Sequence, residues 1–233
     1  MNEKEMLEFV KKDGFNIKHI ENPSLEVQLE AVRRKMFAIK YIENPCLEVQ
    51  LEAVREEGHS ICYIENPCLE VQLRAVKQNG YAIKYIKNPS LEVQLEAVKQ
   101  NGCAIRYIKI KNLPLEVQLE AVREDGFCIQ FIKNPSLEVQ LEAVKSDKNA
   151  IRYINNPSSE VQIEAVKNRD TNIIHILEYL DIENKNNLLT LNIILLKALI
   201  KYGCLDKDSI DYLIKNGDKE IKAMIMEYKL NNK

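Results

Sequence analysis

Basic and aromatic side chains stand next to each other at a fixed interval, and they are the strongest candidates for binding chemistry in this chain. The basic position holds, in order, Lys18, Lys40, Cys62, Lys84, Arg106, Gln130 and Arg152. The residue that follows it is His19, Tyr41, Tyr63, Tyr85, Tyr107, Phe131 and Tyr153. Cations that pair with phosphates, beside rings that stack on bases, are typical of single-stranded nucleic-acid binding. The alternative is that the rings pack between neighbouring repeats, and this is the arrangement that we expect.

A second charged position lies three residues after the basic one and changes sign along the chain. It holds Glu21, Glu43, Glu65, Lys87, Lys109, Lys133 and Asn155. Residues 1–65 carry nine basic and thirteen acidic groups, whereas residues 66–155 carry thirteen basic and ten acidic groups. The pattern indicates either a solvated face or a basic central surface for an acidic or nucleic-acid partner.

No residue pattern indicates catalysis or a metal site. The three histidines are scattered, and the sequence has no nucleophile elbow, phosphate-binding loop, H-E-x-x-H motif or dinucleotide fingerprint. The six cysteines include no C-x-x-C pair, and their spacing does not fit zinc ligands. We therefore expect no catalytic residue, no metal, no cofactor and no small-molecule substrate.

A tandem repeat must position these side chains. The segment Asn88-Pro89-Ser90-Leu91-Glu92-Val93-Gln94 and its continuation recur almost unchanged, with a period of 22 residues and one step of 24 at the inserted Lys109-Ile110. Its glutamine lies at Gln28, Gln50, Gln72, Gln94, Gln118, Gln140 and Gln162. Such a period predicts a stacked array rather than a globular domain.

Each repeat is predicted to contain two helical segments. In the copy that begins at Asn88, Asn88 is the expected N-cap, Pro89 lies in the first turn, and the helix runs to Lys99. The glycine that follows in most copies is interpreted as a left-handed C-cap. The second segment, such as residues 81–86, is short enough to be partly 3₁₀-helical. Leu91, Leu95 and Val98 form one apolar stripe of the first helix, and Val93 and Ala97 form another.

The repeated glutamine is expected to be structural, because its amide both donates and accepts hydrogen bonds and can join a loop or a neighbouring repeat in a ladder. The two rows of glutamates on the first helix, which begin at Glu26 and Glu30, are interpreted as a solvated face.

The predicted architecture is all-α, a right-handed α-solenoid of eight 22-residue two-helix repeats. Residues 1–177 form the array, in which residues 1–21 are a degenerate N-terminal capping repeat. Residues 178–233 form a C-terminal cap of three helices, predicted at 188–202, 208–215 and 218–230. Without an evident signal peptide or membrane span, we expect a cytoplasmic protein, located in the host cytoplasm if a phage encodes it.

The N-P-S-L-E-V-Q-L-x-A-V core followed by G-x-A-I-x-Y-I resembles a family of short helical repeats known as a domain of unknown function, found in bacterial, prophage and giant-virus proteins. The unit is also similar to HEAT-type and leucine-rich-variant solenoids. The resemblance covers residues 14–177 and implies a superhelical binding scaffold. It carries over no functional residue.

We therefore expect a non-catalytic scaffold that binds a protein or ribonucleoprotein along its central repeats, with RNA as an alternative partner. Two further alternatives are a mobile-element inhibitor of host defence (an anti-CRISPR type that covers an RNA-guided nuclease or its RNA) and a structural spacer. The candidate binding residues are Lys40, Tyr63, Lys84, Tyr85, Lys87, Arg106, Tyr107, Lys109, Lys111, Phe131, Lys133 and Arg152.

Overall fold

The fold was obtained as a computed structural model, which describes residues 1–110, 112–167, 196–203, 205, 207–217 and 219–231. The chain divides into two compact units, Met1–Glu124 and Asp125–Lys233. α-Helices and 3₁₀-helices (η) alternate through the first unit: α1 (Glu3–Lys12), η1 (Gly14–His19), α2 (Leu25–Arg34), η2 (Met36–Tyr41), α3 (Leu47–Glu56), η3 (Gly58–Tyr63), α4 (Leu69–Gln78), η4 (Gly80–Tyr85), α5 (Leu91–Gln100), η5 (Gly102–Tyr107) and α6 (Leu115–Glu124).

The second unit continues the alternation and then changes to α-helices alone. Residues 196–202 are helical and precede the last two helices. The named elements of this unit are η6 (Gly126–Phe131), α7 (Leu137–Ser146), η7 (Lys148–Tyr153), α8 (Ser159–Val166), α9 (Lys207–Asn216) and α10 (Lys219–Asn231).

Within the first unit, each α-helix packs on the next α-helix and each 3₁₀-helix packs on the next 3₁₀-helix, from α1 to α6 and from η1 to η5. In the second unit α7 packs on α8, and η6 packs on η7. No β-strand occurs among the described residues. This regular stacking confirms the predicted all-α solenoid. Its handedness stays a prediction.

The C-terminal helices agree with the sequence-based expectation where the structure describes them. The predicted helices 208–215 and 218–230 correspond to α9 and α10, which pack on each other. The boundary at 177/178 and the first half of the predicted helix 188–202 lie outside the described residues. The division into array and cap therefore stays a prediction.

The predicted N-cap of the repeat is wrong. Helix α5 begins at Leu91, and the Ser90 side chain caps it by accepting a hydrogen bond from the backbone N–H of Val93. Asn88 instead adopts a left-handed backbone conformation with a φ of 50°. Asparagine tolerates this conformation better than most residues. The same conformation recurs at Asn22, Asn44, Asn66, Asn134 and Asn156.

The expected left-handed glycine C-cap is also wrong. Gly203 is the only glycine of the described residues with a positive φ. Gly80 instead lies at a close approach between repeats, because a Cβ atom built on its present backbone would lie 2.4 Å from the carbonyl oxygen of Ala97 in α5. Gly14, Gly58 and Gly126 make the same approach. Met36 takes this position in η2 and Lys148 takes it in η7.

The core of each repeat is smaller than the two predicted stripes. In α5, Val93, Ala97 and Val98 are fully buried, whereas Leu91 is 40% exposed and Leu95 is half-buried. Leu91 is therefore not part of the core, although it belongs to one of the predicted apolar stripes. The second segment is entirely 3₁₀-helical, and six such residues rise only about 12 Å against about 15 Å for ten residues of α-helix.

We predict that Gly80→Ala destabilises the protein by about 1–3 kcal/mol, because the added methyl group meets the Ala97 carbonyl oxygen. Urea denaturation measures the free energy of unfolding. Gln100→Ala at the exposed end of α5 is the matched control and should be close to neutral. Equal stability of Gly80→Ala and wild type would contradict the close-approach account.

A second prediction concerns the left-handed asparagine. Asn88→Ala should lower the free energy of unfolding by about 1 kcal/mol, because alanine pays a steric cost at positive φ. Asn88→Gly should be close to neutral, because glycine adopts this conformation freely. If alanine and glycine have the same effect, the asparagine is not kept by its backbone conformation.

Candidate functional site

The exposed ends of the 3₁₀-helices form the candidate site of the first unit. The isoleucine that precedes each basic position is buried, as Ile83 is in η4, so the next two side chains lie at the surface. We call this surface the basic–aromatic edge and count repeats from the N-terminus, so that repeat 4 contains α4 and η4. The edge consists of Lys18, Glu21, Lys40, Tyr41, Glu43, Tyr63, Glu65, Lys84, Tyr85, Lys87, Arg106, Tyr107 and Lys109.

The tyrosines of the edge pack on rings of the preceding repeat. Tyr107 meets Tyr81 edge to face, with ring centroids 5.7 Å apart and planes at 87°. Tyr85 meets His59 in the same way at 5.7 Å. This geometry confirms the expected ring packing between repeats. The same arrangement joins Phe15 to Tyr41 and Phe37 to Tyr63.

The inner ring partners were missed by sequence reasoning. They lie one residue after the glycine position, at Phe15, Phe37, His59 and Tyr81, again with a period of 22 residues. That period, together with their ring-bearing side chains, is the signal by which they could have been found.

The basic side chains lie over the rings. The Lys84 Nζ atom is 4.6 Å from the centroid of Tyr85, and the Arg106 Cζ atom is 5.1 Å from that of Tyr107. Lys40 lies 4.7 Å from the centroid of Tyr41. A hydrogen bond to Tyr85 raises the pKa of Lys84 above its ordinary value. Each cation–π contact at an exposed site contributes about 0.5–1 kcal/mol.

The charges around the edge change sign between repeats 3 and 4. Glu21, Glu43 and Glu65 follow η1, η2 and η3, whereas Lys87 and Lys109 follow η4 and η5, and all five side chains are exposed. The edge is therefore mixed in charge near the N-terminus and purely basic at repeats 4 and 5.

Cys62 interrupts the basic column at repeat 3. Partial burial raises the pKa of its thiol, against the opposing effects of a hydrogen bond with Tyr63 and the positive charge of Lys84. Cys62 is a free cysteine, as are Cys46 and Cys68.

The repeated glutamine holds a loop of its own repeat. The Gln94 Nε2 atom donates to the carbonyl oxygen of Pro89 at 2.8 Å, and Gln72 donates to that of Pro67 at 2.8 Å. Gln118 donates to the carbonyl oxygen of Leu113 at 2.8 Å, although in this repeat the proline lies one position later, at Pro114. Bonds of the same kind are made by Gln28, Gln50, Gln140 and Gln162. These amide N–H bonds lie inside one repeat and confirm the expected bond to a loop, while the ladder between neighbouring repeats stays a prediction.

The remaining candidate binding residues do not belong to the edge of the first unit. In the second unit, Phe131 is half-buried, whereas Lys133 and Arg152 are exposed. Lys111 lies outside the described residues. The expected absence of a catalytic residue, a metal and a cofactor stays a prediction.

Comparison with known families gives one result. A family described as "Domain of unknown function (DUF4116)" matches residues 68–113. This segment contains repeats 4 and 5, including the purely basic part of the edge. Comparisons with curated proteins and with solved structures gave no significant match. Among the described residues, no helix has both the length and the apolar character that a bilayer crossing requires.

The electrostatic contact between Cys62 and Lys84 leads to a prediction. Because the thiol pKa is raised, less thiolate is present at pH 8, and iodoacetamide should alkylate Cys62 more slowly in the folded chain than in the urea-unfolded chain. Lys84→Met removes the nearby positive charge. The alkylation of Cys62 in the folded variant should therefore be about twofold slower than in folded wild type.

The rate is measured by mass spectrometry of the peptide that contains Cys62. Lys77→Met removes an exposed cation from α4 and is the control, with no change expected. A Cys62 rate that is the same in Lys84→Met and in the control would show that the two side chains do not interact.

Proposed function

We propose that this chain is a non-catalytic scaffold that binds an acidic segment of a partner protein along the basic–aromatic edge of repeats 4 and 5. The observation that carries the proposal is the cluster of Lys84, Lys87, Arg106 and Lys109, which lie exposed at equivalent positions of neighbouring repeats. No acidic residue occupies either charged position of the edge in these two repeats. Carboxylates that approach such a surface gain both pairing and faster association.

The ring geometry favours a protein over a nucleic acid. A base needs an open aromatic face on which to stack. The face of Tyr85 carries Lys84, and the face of Tyr107 carries Arg106, while both rings also pack against the preceding repeat. Acidic side chains need no ring face. They can pair with the cations alone, and the rings hold these cations in place. RNA, a ribonucleoprotein, a defence inhibitor and a spacer remain predictions that no comparable observation favours.

The α-helix layer supports the choice of the edge. Glutamates of its second row form salt bridges with neighbouring cations, as in the pairs Arg33–Glu52 at 3.1 Å and Arg55–Glu52 at 3.1 Å. The first row, which begins with Glu26 and Glu48, remains exposed and acidic. An acidic partner is therefore repelled by the α-helix layer and attracted by the edge.

The repetition of the edge supports binding rather than catalysis. A catalytic site needs one specific constellation of groups. Here the same cation and ring recur in repeats 2, 4 and 5, at Lys40–Tyr41, Lys84–Tyr85 and Arg106–Tyr107. Several weak contacts on successive repeats add up along one extended partner.

The test uses a fluorescein-labelled peptide in which four glutamates follow an uncharged Gly/Ser segment of twelve residues, referred to as the acidic peptide. We predict that the double variant Lys84→Glu, Arg106→Glu weakens its binding by about tenfold in fluorescence anisotropy. The control Lys77→Glu, Lys99→Glu makes the same change in net charge on α4 and α5, and should alter binding less than about twofold.

Equal affinity of the edge variant and wild type would contradict the proposal. A twelve-residue oligouridylate is tested in parallel. If it binds more tightly than the acidic peptide and loses affinity in the edge variant but not in the control, the partner is RNA instead.

A further inference from the structure

Polar grooves open between successive repeats beside the edge. One of about 630 Å³ lies between repeats 1 and 2, and another of about 540 Å³ lies between repeats 3 and 4. The first is lined in part by Glu21, Asn22, Pro23, Gln28, Tyr41 and Glu43. The second has the equivalent residues Glu65, Asn66, Pro67, Gln72, Tyr85 and Lys87. The grooves are thus copies of one another, with an edge tyrosine in each wall.

The loop that forms each groove is held in one conformation. In the first groove, Gln28 donates to the carbonyl oxygen of Pro23 at 2.9 Å, and Asn22 has a φ of 48°. In the second, Gln72 donates to Pro67 at 2.8 Å, and Asn66 has a φ of 49°. The charged side chains at the rim therefore start from a fixed backbone, which reduces the entropy lost on binding.

The rims differ in charge. Glu21, Glu43 and Lys18 border the first groove, so two acidic groups and one basic group lie at its rim, whereas Glu65 and Lys87 border the second. All five are exposed, and in the part of the chain that the structure describes none of them forms a salt bridge. In repeat 5 the equivalent residue is Lys109, which is also basic. The charges of this column are therefore available for a partner.

We propose that the edge selects a partner segment of bipolar charge, in which basic residues bind the groove between repeats 1 and 2 and acidic residues bind repeats 4 and 5. This inference rests on the proposed function and adds the order of charges to it. Repeats packed about 10 Å apart correspond to about three residues of an extended chain. A segment of about twelve residues spans the edge from the first groove to repeat 5, and a sixteen-residue peptide covers this span with residues to spare.

The sign change gives the segment one favoured placement. With the charges reversed, basic residues would face Lys84 and Lys87 while acidic residues faced Glu21 and Glu43. Like charges in contact discriminate against a wrong register more strongly than opposite charges add to affinity. A segment that is acidic throughout pairs with repeats 4 and 5, but near the N-terminus it also meets Glu21 and Glu43, which oppose its pairing with Lys18 and Lys40.

The experiment compares the acidic peptide with a bipolar peptide that has four lysines, eight Gly/Ser residues and four glutamates, so that the two probes have equal length. The affinities are measured by fluorescence anisotropy. In wild type we expect the bipolar peptide to bind about tenfold more tightly than the acidic one. Glu21→Lys, Glu43→Lys should remove this preference, and Glu21→Gln, Glu43→Gln should reduce it.

The control is Glu26→Lys, Glu48→Lys, which makes the same charge change at exposed positions of α2 and α3. It should keep the preference for the bipolar peptide. Equal affinities of the two peptides for wild type would overturn the inference. So would an equal loss of preference in the edge variants and the control.

The two proposals fail in different ways. If the acidic peptide binds and loses affinity in Lys84→Glu, Arg106→Glu, the proposed function stands even when the bipolar peptide binds no better. If the acidic peptide binds that variant and wild type with equal affinity, the proposed function fails and the proposed order of charges fails with it.

Discussion

The structure depends on repeats that stack at a very short backbone separation. The start of η4 approaches the Ala97 carbonyl oxygen so closely that Gly80 has no room for a Cβ atom. The alanine that precedes the last valine of each full repeat is completely buried, as Ala75 and Ala97 are. Helices of six and ten residues are not stable alone, so each repeat depends on its neighbours to cover its apolar side. The same stacking brings the rings and cations of successive repeats together at the edge.

The repeat itself could be predicted from the sequence, because its period and apolar pattern are directly visible. Its boundaries could not. An Asn-Pro pair suits both a helix N-terminus and a left-handed turn, and the conformation of Asn88 becomes clear only when Ser90 is seen to cap α5. A glycine after a helix suits a left-handed cap, yet at Gly80 it reflects contact with a different repeat. Local rules fail at these positions because the deciding contact is not local.

The candidate site was predicted in its composition but not in its geometry. The spacing placed Lys84 next to Tyr85 and predicted ring packing between repeats. It could not show that the Lys84 ammonium group lies over the ring at 4.6 Å, since side-chain direction at the end of a 3₁₀-helix depends on the preceding repeat. This contact favours an acidic protein segment over stacked bases. The inner rings, such as Tyr81, were overlooked because they vary in type.

We propose that repeats 4 and 5 bind an acidic segment through their edge. Amide hydrogen exchange, measured with and without saturating acidic peptide, tests this binding. If the edge binds the peptide, exchange should slow at residues 84–88 and 106–110, with little change in α4 and α5 at the helix positions that face away from the edge. Protection confined to the α-helices, or no protection at these two segments, would contradict it.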